Sequence, residues 1–167
     1  MQGGMCEFPI EQFPTGVMRG RFSPFDGQLY SCGMFAWAGD QQQPGGFYRI
    51  SYTGKPAHLP VGLNTRKDGI LIRFSDKIDI QTASNADNFS VRTWDVKRTK
   101  NYGSEHYNEK KIEVTHAAVT DKGVSVFLTI PDIKPTWGME IVYSIKTAER
   151  KTLQGRIHNT IHKLRSE

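Results

Sequence analysis

"VSVFLTIPDIKPTWGMEIVYSIKTA", residues 124–148, holds two runs of alternating apolar residues with a proline-bounded segment between them. Val126, Leu128 and Ile130 share one face of the first run, and Ile141, Tyr143 and Ile145 share one face of the second. A side-chain period of two belongs to strands with one face in a core. The segment between them, "IPDIKPTWG" at 130–138, reads as a crossover that carries the chain from one sheet to another. Two half-buried strands joined in this way predict a sandwich.

The neighbouring sequence has the same style. In "GILIRFS", 69–75, Ile70, Ile72 and Phe74 fall on one face. "KIEVTHAAV", 111–119, reads as one strand with Ile112, Val114 and His116 together. In "FSVRTWDVKR", 89–98, Phe89 and Val91 share a face, and Trp94 is expected in the core, reached through a bulge or twist. "TDKG" at 120–123 and "AERK" at 148–151 are turns, Gly123 being free to take a positive φ. "TASNADN", 82–88, predicts one helical turn capped by Thr82. Six or seven short strands at this spacing make an antiparallel sandwich over 58–167.

Residues 1–57 differ, being rich in Gly, Pro, Gln and aromatics. Strands are expected at 17–22, 28–32 and 46–52. Asp26-Gly27 suits a tight turn, and "GDQQQPGG", 39–46, is a polar loop. Such a small sheet is marginal alone, having little to cover its second face. Sixteen glycines and eight prolines in the 167 residues favour many turns and short strands throughout.

The net charge of +5 comes from basic residues spread along the chain, with one compact cluster, "KRTK" at 97–100. That scatter argues for a solvated basic surface and against a nucleic-acid partner. No run approaches the ~18 apolar residues of a membrane span. "MQGGMCEFPIEQFP" lacks the charged and apolar regions of a signal peptide. Cys6 and Cys32 form no CxxC or haem-attachment motif; a disulfide and two free thiols both stay open.

The chemistry-bearing residues make few constellations. His158 and His162 would share a helix face and suit zinc. "GRIHNTIHKL" reads instead as a strand, where they stand ~13 Å apart. Asp76, Asp79, Asn85, Asp87 and Asn88 supply oxygens for calcium, but such residues in turns usually bond their own backbone. No GxSxG elbow or phosphate loop is present, and Ser104, Glu105 and His106 are sequence neighbours rather than a triad. The expectation is no metal, no cofactor and no catalytic residue. The polar insertion "KRTKNYGSEHYNEKK", 97–111, is where a partner contact is expected, through Tyr102, His106 and Tyr107. Trp137 is expected to cover one end of the sandwich.

"GLNTRKDGILIRFSDKIDIQTASNADNFSVRTWD", 62–95, together with "VSVFLTIPDIKPTWGMEIVYSIKTA", resembles the bacterial Ig-like domain of exported proteins. "GVMRGRFSPFDGQLYSCGMFAWAGDQQQPGGFYRISYTGKP", 16–56, resembles the last blade of large exported propellers of the glucose/sorbosone dehydrogenase-like class. In those proteins the propeller is often joined to cytochrome c-type or other haem-binding domains, and an Ig-like domain ends the chain. The resemblance implies an all-β chain: a propeller-blade-like segment, 1–57, and an Ig-like β-sandwich, 58–167. It implies a non-catalytic accessory domain of a periplasmic or extracellular protein, partnered by the rest of a propeller or a haem domain. Arg19, Arg21 and Trp37 are the blade's candidate binding residues, the arginines facing a central channel or pairing with a neighbouring blade. The alternative is a carbohydrate- or cell-surface-binding module. An exposed blade edge also allows homodimerisation by strand pairing.

Overall fold

The structure, a computed structural model, describes residues 3–10, 12–35 and 41–165. The chain is all-β, with three antiparallel sheets. In order the strands are β1 (Gly4–Cys6), β2 (Gly16–Phe22), β3 (Leu29–Met34), β4 (Gly45–Ile50), β5 (Pro60–Thr65) and β6 (Gly69–Phe74). They continue with β7 (Phe89–Asp95), β8 (Tyr107–Ile112), β9 (His116–Thr120), β10 (Ser125–Thr129), β11 (Thr136–Lys146) and β12 (Thr152–Ile161). A short α-helix, α1 (Ile80–Ala83), lies between β6 and β7.

The chain forms two compact units, Met1–Phe8 with Pro56–Glu167, and Pro9–Lys55. Residues 4–6 go with the larger unit, because β1 pairs with β12 in the register Gly4↔Asn159. Nothing in "GMC" signals this strand: it has three residues, all exposed.

The larger unit has a five-stranded sheet, β1-β12-β11-β7-β8, and a four-stranded sheet, β5-β6-β10-β9. Their apolar faces enclose one core. Ile70, Ile72 and Phe74 of β6 and Val126 and Leu128 of β10 come from one sheet. Val91 of β7, Met139, Ile141, Tyr143 and Ile145 of β11, and Ile157 and Ile161 of β12 come from the other. Phe74 meets Tyr143 edge-on across the core, ring centroids 5.5 Å apart. Burial pushes the Tyr143 pKa up to about 12. The segment after β10 is the sheet-to-sheet crossover, and residues 121–123 and 147–151 turn the hairpins, with Gly123 at φ 92°.

Three expectations need correction. Residues 111–119 are not one strand: β8 ends at Ile112 in one sheet and β9 begins at His116 in the other, so 113–115 is a second crossover. It carries no proline or glycine to mark it. Trp94 is not in the core, because β7 keeps strict alternation: Phe89, Val91 and Thr93 point inward, leaving Arg92 and Trp94 on the outer face. Thr82 does not cap the helix. Asp79 does, its Oδ1 accepting the Thr82 N–H at 2.9 Å, which holds the Asp79 carboxyl below its ordinary pKa. The oxygens weighed for calcium serve the backbone in the same way. Asn85 caps the 3-10 turn Ala86–Asn88, and Asp76 Oδ2 accepts the Ala57 and His58 N–H groups at 3.0 and 2.9 Å.

The smaller unit is the sheet β2-β3-β4. Gly27, at φ 68°, closes the β2–β3 turn as the Asp-Gly pair predicts. One face holds the buried Ser31 and the half-buried Tyr48, the latter against the Phe13 ring at 4.5 Å and the Thr15 hydroxyl at 2.8 Å.

Candidate functional site

The outer face of the five-stranded sheet carries more chemistry than a solvated face requires. Register places Arg92, Glu140 and His158 in one row across β7, β11 and β12. Glu140 follows Met139 and precedes Ile141, both inward, so alternation turns it outward. It is nevertheless only 4% exposed, because its neighbours close over it. Arg92 Nε donates to Glu140 Oε1 at 2.7 Å, and Arg92 Nη1 to Glu109 Oε1 at 2.8 Å. Glu109 Oε2 meets His106 Nδ1 at 2.8 Å. On the far side Glu140 Oε2 lies 3.4 Å from His158 Nε2 and 3.5 Å from Arg156 Nη1. The result is an alternating chain, His106–Glu109–Arg92–Glu140–His158.

The two imidazoles at its ends grip one indole. His106 stacks on Trp94 at 4.1 Å, and His158 meets it edge-on at 6.4 Å. The Arg92 guanidinium lies 5.8 Å from the ring centroid. Gly138, opposite Trp94 in the register, leaves room beneath: a Cβ there would strike the indole. Trp94 is thus held between His106, His158, Arg92 and Gly138, and its free edge forms one wall of a groove.

That groove has a volume of about 540 Å³, and Trp94, Trp137, Gly138, His158, Thr160 and His162 line it, with Gly3–Met5 on the rim. In strict alternation from Met139, Trp137 would face the core. A bulge between Thr136 and Met139 in the pairing with β12 breaks the alternation, and bulges commonly re-aim a side chain in this way. Trp137 is 60% exposed as a result. Its position is fixed by the Thr160 hydroxyl, which donates to the Trp137 carbonyl at 2.6 Å, and by His162, edge-on at 6.2 Å. His158 and His162 therefore share a groove, although they share no helix.

Of the binding residues expected from sequence that are described, only His106 joins this site; His158 and His162, weighed for zinc, and Trp137, expected to cover one end, line its groove. Tyr107 lies under the Lys97 ammonium, 4.2 Å from its ring centroid, and Tyr102 is fully exposed. Arg19 and Arg21 are exposed on β2 in the smaller unit. Trp37 lies outside the described residues. Cys6 and Cys32 are free thiols. Among the described residues no helix is long and apolar enough to cross a membrane. Sequence reading missed Arg92, Glu140 and the placing of Trp94. A carboxylate inside "GMEIVYSI" was the available signal, since a lone charge in such a run faces outward and needs a partner.

Burial pushes the Glu140 pKa up, but the Arg92 hydrogen bond and the charges of Arg92, Arg156 and His158 outweigh burial and hold it below its ordinary 4.5. Glu109 is lowered as well, first by His106 and then by Arg92. A carboxylate with a depressed folded-state pKa contributes stability that is complete above its unfolded value and lost as pH falls through the folded one. The urea midpoint should therefore drop as pH falls from about 5.5 to 3. In Glu140→Gln that slope should be shallower; a slope unchanged from wild type would remove Glu140 from the account.

No protein-family model, curated protein or solved structure matches the chain.

Proposed function

We propose that the chain is a non-catalytic accessory module of an exported propeller protein, and that the larger unit, read as an Ig-like sandwich, binds carbohydrate in the groove beside Trp137. The observation that carries this is the outward-turned indole. A sugar ring has an apolar C–H face and a polar rim of hydroxyls. Trp137 offers a flat apolar surface, and His158, His162 and Thr160 offer hydrogen-bonding groups around it. The charge chain from His106 to His158 fixes the Trp94 wall, so little side-chain freedom is lost on binding.

The accessory part of the reading is supported by the smaller unit. Val17, Met18, Phe22 and Phe25 are all exposed there, as expected of a blade that packs against more sheet.

The test is titration of the full chain with neutral cello-, xylo-, manno- and chito-oligosaccharides, followed by tryptophan fluorescence and calorimetry. At least one series should bind, and Trp137→Ala should weaken it ~30-fold, the effect of losing an aromatic anchor worth about 2 kcal/mol. No binding by the wild-type chain, or full binding by Trp137→Ala, would reject the groove.

A further inference from the structure

The outer face of the three-stranded sheet gathers cations that the sequence scatters. Register aligns Arg21, Tyr30 and Arg49 in one row across β2, β3 and β4, and Arg19, Cys32 and Phe47 in the next. Residues directly opposite share a face, so three arginines and two aromatic rings stand together. Arg19 and Arg21 are two positions apart on one strand, ~6.7 Å. Both are exposed, and their guanidinium groups bond the carbonyls of Met18 and Gly20 at 3.2 and 2.8 Å. Among the described residues no carboxylate comes within ion-pair distance of Arg19, Arg21 or Arg49.

Asp26, the one acid beside this face among the described residues, is already engaged. Its Oδ1 accepts the Gln28 N–H at 3.0 Å and its Oδ2 the Tyr30 hydroxyl at 2.8 Å. Arg49 hydrogen-bonds the Tyr30 hydroxyl and its charge is partly offset by Asp26, so Arg19 and Arg21 are the cations left without an acid among the described residues. The Tyr30 and Phe47 rings stack at 5.7 Å with 27° between planes, and Phe47 is 73% exposed. Together they form one apolar ledge flanked by guanidinium groups.

We propose that this face binds an acidic polysaccharide, a chain of sugars bearing carboxylates. A guanidinium meets a carboxylate through two parallel N–H donors, and it keeps its charge at any working pH. The ledge receives the C–H face of the sugar between the charges. A single-stranded nucleic acid would need a free ring face for each base. Here each ring covers part of the other, and the Tyr30 hydroxyl is tied to Asp26, which favours the sugar. The site is independent of the groove beside Trp137.

The test uses the full chain with oligogalacturonate, its methyl ester and an oligouridylate of equal charge, at 50 and 300 mM salt. The free acid should bind at least ~10-fold more tightly than the ester, and more weakly at high salt. Arg19→Gln with Arg21→Gln should cost the acid ~10-fold, and Phe47→Ala ~5-fold, effects sized to the loss of exposed charge-assisted bonds and of an aromatic contact. All three positions are exposed, so the variants should fold, and Trp137→Ala should leave acid binding unchanged. Ester binding equal to acid binding, or arginine variants that bind as wild type, would overturn the proposal. Tighter binding of the oligouridylate would also overturn it and assign the face to nucleic acid. None of these outcomes touches the groove.

Discussion

Phe74→Ala should destabilise the larger unit by about 3–5 kcal/mol, the range for deleting a buried aromatic side chain. Phe74 is 1% exposed and spans the core, meeting Tyr143 from the facing sheet. Its loss leaves a hole between two sheets whose strands are held by their own ladders, so neither can settle fully into the space. The melting temperature of the full chain should fall on the order of 10 °C or more. Phe74→Leu keeps most of the volume and should cost about 1.5 kcal/mol or less. Melts followed by circular dichroism check both. A loss below ~1 kcal/mol for the alanine variant would mean the two sheets do not share this contact.

Gly138→Ala is the second large effect, and it couples stability to the groove. The added methyl meets the indole of Trp94, a rigid ring already stacked under His106. Either Trp94 lifts or the strand shifts, and overpacking of this kind costs about 1–3 kcal/mol. The lifted indole would also carry the groove wall with it. Loss of sugar binding together with a lower urea midpoint is the expected pair of results. Gly138→Ala with wild-type binding and stability would show that Trp94 is not pinned where the register puts it.

Much of the fold is legible wherever one local rule decides. Period-two alternation locates β6, β10, β11 and β12. Proline marks the β10–β11 crossover, and glycine marks the turns at 27 and 123. The crossover at 113–115 hides because Ile112 and Val114 continue the alternation of β8 straight through it. The missed part of the site hides for a related reason. Arg92, Glu140 and His158 lie 48 and 18 residues apart in consecutive pairs, and only register brings them into a row. Trp137 depends on a bulge, which no residue type announces. Arg19, Arg21 and Arg49 look scattered along the chain and are gathered by the same ladder logic.

The pairing of β1 with β12 sets an order of events. Residue 4 has no partner until residue 159 has been synthesised. The β5–β6, β9–β10 and β11–β12 hairpins close loops of a few residues, whereas this strand closes one of about 150, and distant pairings form late. The entropic penalty of that length is modest, ~0.6 kcal/mol for each doubling. Three residues of ladder do little to offset it, so this edge of the sheet should be the first to open. Native-state hydrogen exchange should find the amides of Gly4–Cys6 exchanging by local opening, well ahead of those in β11. The rim of the groove that Gly3–Met5 supplies would then come and go on a faster clock than its indole walls.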